Sequence, residues 1–338
     1  MKKTTLKDIA IKLQVSVSTV SRALQNNPRI SKEIRDLVLQ TAKELNYFAN
    51  KNFDFTGLKK MNAIGVIVPK ISYHLYAMAI SGIEKIAEDN NMKIIICQSN
   101  ESYEREKGLV KELIEIGIAG LIVSHASQTK NFSHFQEAKD HNIPLVFFNR
   151  LCDEVESDKV VLDNFRAAYD ATQHLIEIGC QKIAYIGGPE ILQISNTRLL
   201  GYKKALADSN FSLNEKLIDY CNFNRESHLT LARKLLYAPT HPDGILCFSD
   251  QIAISVMLAA KERGIKIPED LSIIGFNNEP IDELLDPTLT SVDQPDYEMG
   301  LASAQFIINR IKNHQIKNTR KILKSNLIIR NSTNRNKR

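Results

Sequence analysis

The stretch Val15–Leu24, VSVSTVSRAL, gathers three serines, three valines, a threonine and one arginine into ten residues. Short hydroxyl side chains let a helix approach phosphates and base edges closely. Valine methyls can touch the methyl of thymine, and arginine can donate two hydrogen bonds to guanine. With Ser16 as N-cap and a helix from Val17 to Leu24, Val20 and Leu24 lie four apart and pack inward, leaving Val17, Ser18, Ser21 and Arg22 on the other faces. Ser16, Thr19, Arg29 and Ser31 are candidates for phosphate contacts. A merely structural Ser/Val-rich helix would have the same composition, and charge favours the DNA reading. Residues 1–60 carry 12 Lys/Arg against 5 Asp/Glu, whereas the other 278 carry 32 against 34. Only the N-terminal piece is built to approach a polyanion.

A second set of polar groups falls at the ends of apolar runs: Asn149 after PLVFF, Asp163 and Asn164 after KVVL, Asp250 after ILCFS and Asn277 after SIIGF. Arg198, in ISNTRLLGY, stands just ahead of an expected helix, and Gln294 follows the late strand LTSVD. In open α/β sheets ligands bind beyond the carboxyl ends of the strands. Amides, carboxylates and one arginine in that place suit a ligand with many hydroxyls, the profile of a sugar site. Ser72, His74 and Tyr76, in the loop after the first strand, are candidates for the opposite wall. Helix capping by Asp250 and turn formation by Asn164 or Asn277 are the plainer roles for those residues.

These groups need elements to position them. Residues 5–46 read as three short helices. Thr5 and Asp8 form a capping box for the first, a turn at Gln14 and Val15 precedes the second, and Ser31 caps the third, with Ile34, Leu37, Val38, Thr41, Ala42 and Leu45 as its apolar stripe. Two short helices joined by such a turn make a helix-turn-helix, whose second helix lies in the DNA major groove. From Ala63, runs such as AIGVIVP, KIIICQ, GLIVS and KIAYIGG alternate with charged helix-period stretches, which indicates parallel sheets covered on both faces. About 270 residues is large for one core, so two doubly wound halves are expected.

The 338 residues, 43% hydrophobic and 25% charged, have the profile of a globular protein. No apolar run approaches the roughly 18 residues of a membrane span, and MKKTTLKDIA lacks the apolar centre of an export signal, so a cytoplasmic protein without a membrane partner is expected. The five cysteines lie in or beside apolar runs and never in a CxxC pair; buried reduced thiols are expected, and neither a metal nor another cofactor. There is no GxGxxG after a strand, no Walker lysine loop, no GxSxG and no HExxH. His134 and His141 fall in a polar helical stretch and read as a solvated face.

The string TLKDIAIKLQVSVSTVSRALQNNPRISKEIRDLVLQTAKELNY resembles the signature of the lactose-repressor (LacI/GalR) family of bacterial transcription regulators, notably in KDIA, VS-STVSR-L, N-P-IS and R--V---A-ELNY. The resemblance continues through IPLVFFNR, RLLGYKKAL, PDGILCFSDQIAISVM and LTSVDQP to about residue 332. It implies an N-terminal all-α helix-turn-helix domain (1–48), a hinge linker (49–61) and an α/β periplasmic-binding-protein-like core of two doubly wound parallel-sheet subdomains (62–332). The N-subdomain would comprise about 62–161 plus 292–321 and the C-subdomain about 162–290 plus 322–332, with a polar tail at 333–338.

By the same resemblance Val17, Ser18 and Arg22 fall on base-reading positions, Thr5, Ser16, Thr19, Ser21 and Ser31 on or near backbone-contacting ones, and Asn149, Arg198, Asp250 and Asn277 on effector-binding ones. The hinge departs from the pattern: Ala49 stands where proline is expected and Thr56 where a minor-groove leucine would align, leaving Phe55 or Leu58 as the apolar wedge. The reading is a homodimeric, sequence-specific repressor of carbohydrate-related genes, binding double-stranded operator DNA and a sugar or sugar phosphate effector. The rivals are a sugar sensor without ordinary operator binding and an α/β enzyme with a DNA-binding head, for which Asp163 with Asp250 is the one acid–base pair to nominate.

Overall fold

The computed structural model describes residues 5–24, 27–45, 47, 61–313 and 317–335. The first of these form three helices, α1 (Leu6–Leu13), α2 (Val17–Leu24) and α3 (Lys32–Glu44). At the start of α1 the Thr5 hydroxyl accepts the Asp8 N–H at 3.4 Å, and the Asp8 carboxylate accepts the Thr5 N–H at 2.7 Å. Gln14, at φ +53°, ends α1 in the left-handed region, and the Val15 N–H then reaches the Ala10 carbonyl at 3.1 Å. Ser16 accepts the Thr19 N–H at 3.0 Å and Ser31 the Ile34 N–H at 3.4 Å, so each expected cap is made. Ile9, Val20, Leu24, Val38, Ala42 and Tyr47 fill the small core. Ile34 and Leu37, expected on the α3 stripe, are 39% and 53% exposed. A three-helix unit has only two partners for α3, enough to cover the line Val38–Thr41–Ala42 and no more.

From Ala63 the chain runs β1 (Ala63–Val68), α4 (His74–Asp89), β2 (Lys93–Gln98), α5 (Tyr103–Ile116), β3 (Gly120–Val123), α6 (Ser133–Asp140), β4 (Leu145–Phe148) and β5 (Asp158–Leu162). Next come α7 (Asn164–Glu177), β6 (Ile183–Gly187), α8 (Gln193–Asp208), β7 (Ile218–Tyr220), α9 (Arg225–Leu236), β8 (Gly244–Cys247), α10 (Asp250–Arg263) and β9 (Ser272–Phe276). The last elements are β10 (Thr290–Asp293), α11 (Asp296–Lys312), β11 (Arg320–Leu323) and β12 (Asn326–Ile328).

Two six-stranded sheets result, ordered β11-β5-β4-β3-β1-β2 and β12-β10-β9-β8-β6-β7. All ladders are parallel except that of β10 with β12. The reason is the connection. β11 ends at the carboxyl edge of the first sheet, and two residues later the chain enters the second sheet at its own carboxyl edge, so β12 must run back against β10. The chain passes between the lobes at three places: after β5 into α7, after β10 into α11, and from β11 to β12. The polar C-terminal stretch is tied down: the Thr333 hydroxyl lies 3.0 Å from His174 Nε2, and Arg335 Nε donates to Ser272 Oγ at 2.9 Å.

Two expectations are corrected. His134 is sealed inside the first lobe, 2% exposed, with Nε2 3.1 Å from a Glu106 carboxylate that also accepts the Ala126 N–H and the Thr129 hydroxyl. The polar face of α6 turns inward there because loop 124–132 folds over it. Cys97, on the edge strand β2, is half-exposed, while the other four cysteines are buried.

Helix pairing is close where glycine permits. A Cβ on Gly300 of α11 would stand 2.0 Å from the Ala79 carbonyl oxygen of α4, and one on Gly82 would stand 2.3 Å from the Tyr297 carbonyl oxygen. Backbone cannot yield as a side-chain tip can. Gly300→Ala is therefore expected to cost about 1–3 kcal/mol in denaturant unfolding. Gly108→Ala on α5, where a Cβ meets nothing within 4 Å, should be neutral or slightly stabilising. Equal midpoints for the two variants would contradict this packing.

Candidate ligand cleft and nucleic-acid interface

On α2 the outward face presents Val17, 44% exposed, with Ser18 and Arg22 also exposed and Thr19 and Ser21 half-buried. Ser16 Oγ lies 2.7 Å from Ser18 Oγ and 2.8 Å from Thr19 Oγ1, a hydroxyl cluster at the helix N-terminus, where backbone N–H groups and the helix dipole favour an anion. Thr5, Arg29 and Ser31 are exposed at the starts of α1 and α3 and in the turn between α2 and α3. Phe55, Thr56 and Leu58 lie outside the described residues.

Between the two lobes is a cleft with about 570 Å³ of space free of protein atoms, part of it open to solvent. Tyr73, Leu75, Tyr76, Asn149 and Arg150 line it from the first lobe; Ile194, Arg198, Phe223, His228, Phe248, Ser249, Gln251, Asn277 and Glu279 line it from the second, and Gln294 from a crossover. Asn149 and Asn277 follow β4 and β9 at φ +60° and +106°. Each strand end must bend sharply at the cleft while its last N–H stays in the ladder, to Val160 and Val292 respectively. Asparagine tolerates positive φ better than most residues, which is why it recurs there.

Arg198 sits one turn inside α8, not ahead of it, because the helix already starts at Gln193. The polar run Ser195–Thr197, which reads as loop, belongs to its first turns. The Arg198 side chain is 1% exposed. Its Nε donates to Asn164 Oδ1 at 2.8 Å and Nη1 to the Phe248 carbonyl at 2.6 Å, and the guanidinium carbon lies 3.7 Å and 4.6 Å from the Phe276 and Phe248 ring centroids. Nη2 has no hydrogen-bond partner among the described residues. Burial pulls its pKa down to about 9, against the opposing pull of Tyr185, Asp250 and Asp296, so the group remains a cation at neutral pH. Gln294 Nε2 donates to Asn277 Oδ1, while Gln294 Oε1 is likewise unpartnered. Tyr76 hydroxyl lies 3.1 Å from Ser124 Oγ and accepts Asn149 Nδ2 at 3.4 Å.

The cleft therefore unites Tyr76, Asn149, Arg198, Asn277 and Gln294 of the expected set, and leaves out Ser72, His74, Asp163, Asn164 and Asp250, Asn164 holding Arg198 from behind. Ser72 and His74 lie in the same turn but outside the lining, where Tyr73, Leu75 and Tyr76 form the wall. Asp163 caps α7, accepting the Arg166 N–H at 3.0 Å. Asp250 is sealed beneath the strand ends: it accepts the Ser291 hydroxyl at 2.6 Å and the Glu279 N–H at 3.1 Å, and a Cβ on Gly275 would collide with it at 1.9 Å. Its neighbours Ser249 and Gln251 face the cavity instead.

Sequence reasoning missed the aromatic walls Tyr73, Phe223 and Phe248, and Arg150, which adjoins Asn149 in FFNR. An aromatic residue directly past a strand end was the signal that would have found Phe248; Phe223 stands three positions past the short strand β7. Beside the cleft, at the start of α11, Asp296 is 5% exposed; burial pushes its carboxyl up to about 8, with Asp293, Glu298 and Glu279 adding to the rise and Arg198 opposing it.

The model for bacterial regulatory proteins of the lacI family matches residues 5–50, and that for a periplasmic binding protein-like domain matches residues 172–333. The HTH-type transcriptional repressor CytR of Escherichia coli (strain K12) is 32% identical over 97% of this chain and 96% of its own length. The ribose operon repressor of Halalkalibacterium halodurans is 32% identical over 98% of this chain and 97% of its own. Among solved structures, the complex of the transcriptional regulator CelR with cellobiose superposes at a TM-score of 0.75 and 26% identity, covering 97% of this chain and 99% of that one.

The raised Asp296 pKa makes a stability prediction. A carboxyl that holds its proton in the folded state up to about pH 8, but releases it near pH 4 when unfolded, contributes stability below that range and loses it as pH rises through the folded value. Asp296→Asn should therefore flatten the fall of the thermal midpoint between about pH 5 and about pH 8.5. Parallel curves for the two proteins would show that Asp296 does not titrate there.

Proposed function

The chain belongs to the lacI family of bacterial regulatory proteins, and on that premise we propose that it is a homodimeric repressor of carbohydrate-related genes whose hold on operator DNA is set by a sugar in the interlobe cleft. The observation that carries the sugar reading is a set of three buried lining groups without a partner among the described residues, the Arg198 Nη2 donor, the Gln294 Oε1 acceptor and His228 Nε2, among neutral amides and aromatic faces. A hydroxyl accepts from the first and donates to the second, and the apolar faces of a sugar ring pack on Tyr73, Phe223 or Phe248. Two relatives agree in kind: one is a ribose operon repressor by name, and another was solved with cellobiose.

On the DNA side Val17, Ser18 and Arg22 read base edges, while Thr5, Ser16, Thr19, Ser21, Arg29 and Ser31 hold the phosphates. Dimerisation sets two α2 helices about one DNA turn apart on a near-palindromic site. Residues 1–48 form the DNA-binding domain and 62–332 the effector-binding and dimerisation core. Residues 49–61 couple the two, with Phe55, Thr56 or Leu58 meeting the minor groove. A sugar that prefers one closure of the cleft shifts the operator affinity by the ratio of its affinities for the two closures. No catalytic step is part of this reading: Asp163 and Asp250, the one acid–base pair to consider, are each committed to backbone N–H groups. Such a protein acts in the cytoplasm, on the nucleoid.

Fluorescence anisotropy with fragments of the region upstream of the gene tests this. The wild type should bind one fragment in a salt-sensitive manner, and Arg22→Ala should weaken that complex by about 1–3 kcal/mol. One sugar of a panel should shift the wild-type curve. Binding no tighter than to random DNA, or indifference to Arg22, would overturn the regulator reading.

A further inference from the structure

Resting on the sugar reading above, we infer that Glu101, which stands behind the cleft wall and does not line it, determines the charge class of the effector: by neutralising Arg150 it makes the cleft select an unphosphorylated sugar over the phosphate monoester of the same sugar.

Arg150 lines the cavity and is the first lobe's cation there, its guanidinium 5.1 Å from the Phe223 ring centroid on the opposite lobe. That charge does not reach the cavity uncompensated. Nη1 donates to Glu101 Oε2 at 2.7 Å and to the His125 carbonyl at 2.9 Å, and Nη2 donates to Glu101 Oε1 at 2.9 Å, a bidentate pair with both partners nearly buried. Glu101 Oε2 also accepts the Ser127 N–H at 2.7 Å. Burial works to raise the Glu101 carboxyl, but Arg150 beside it and the Ser127 N–H win, and the group is held below its ordinary range and charged.

The local backbone shows that this placement is imposed. Asn100 and Glu101 are consecutive non-glycine residues at φ +54° and +62°. Left-handed residues of this kind persist where surrounding contacts determine them, and the contacts here are the Asn100 N–H on the Pro69 carbonyl at 2.9 Å and those of the Glu101 carboxylate.

The other charges facing the cavity give a phosphate no better purchase. Glu279 lies in the lining and adds negative charge. Asp296 carries its proton at neutral pH, and burial keeps His228 toward its neutral form. Arg198 is the remaining cation, with Nε and Nη1 committed inside the second lobe and Nη2 alone left to meet a ligand. The two N–H bonds of Nη2 can each meet a ligand hydroxyl. A phosphate dianion would have to be desolvated against a cleft whose two arginines are offset by two carboxylates.

Isothermal titration calorimetry on the full-length protein tests this, using pentoses, hexoses, disaccharides and the phosphate monoesters of the same sugars. For the wild type, the sugar that binds should do so at least about tenfold tighter than its monoester. Glu101→Gln leaves a hydrogen-bond partner for Ser127 but removes the charge, and should lower that ratio by at least about tenfold, with added salt restoring it as screening grows. The double variant Glu101→Gln/Arg150→Gln, which leaves neither charge, should return to the wild-type ratio and serves also if the single variant fails to fold. A wild type that binds the monoester as tightly as the sugar overturns the inference, as does an unchanged ratio in folded Glu101→Gln. If no sugar binds in either form, the sugar reading falls and this inference falls with it.

Discussion

A guanidinium enclosed by protein is costly unless hydrogen-bond acceptors and aromatic faces offset its charge, and the second lobe is organised around that requirement at Arg198. Answering it brings together the start of α7 through Asn164, the end of β8 through the Phe248 carbonyl, and the end of β9 through the Phe276 ring. Arg198 itself, Phe248 and Asn277, which follows Phe276, line the cleft between the lobes. The Nη2 amino group, with two N–H bonds, has no partner among the described residues, and it is the group through which a bound hydroxyl would join the network. Polar networks in a low-dielectric interior are stable when complete and strained when not, so filling that place is felt at every element the arginine holds.

Among the described residues three chain crossovers join the lobes, and two of these adjoin the cleft. Asn164 begins α7 directly after the crossover from β5, and Gln294 lies in the crossover from β10 to α11. A ligand that engages Arg198 and Gln294 therefore acts on the hinge as well as on the cavity walls. Tyr76 and Arg150 extend the first lobe to meet it, Arg150 through its approach to Phe223. In the function proposed for the chain this core governs the DNA-binding head, and the hydroxyl cluster of Ser16, Ser18 and Thr19 with exposed Val17 and Arg22 is the face proposed to meet DNA.

Much of this was legible in the sequence because it rests on local rules. The three caps at Thr5, Ser16 and Ser31 form as their residue types require, and the long apolar runs become strands, central ones except for KIIICQ, which forms the edge strand β2. Asparagine after an apolar run marked Asn149 and Asn277 because a strand that ends in a left-handed turn favours that residue. What was illegible depends on tertiary packing. β7, β11 and β12 are short edge strands with little apolar signal. Asp250 and Asn149 look alike as polar residues past a strand, yet one points beneath the sheet ends and the other into the cleft. Glu101 and Arg150 are 49 residues apart, and nothing in either neighbourhood announces that the fold will pair them.

The central claim is that ligand in the cleft reaches the DNA-binding head through Arg198. Its most direct test is operator affinity of full-length Arg198→Met, measured with and without a sugar that shifts the wild type. The account predicts an operator affinity within a few fold of wild type in the absence of sugar, since Arg198 touches no DNA-binding residue, and no shift on adding the sugar. A variant that is folded and still shifts with the sugar as the wild type does would contradict it.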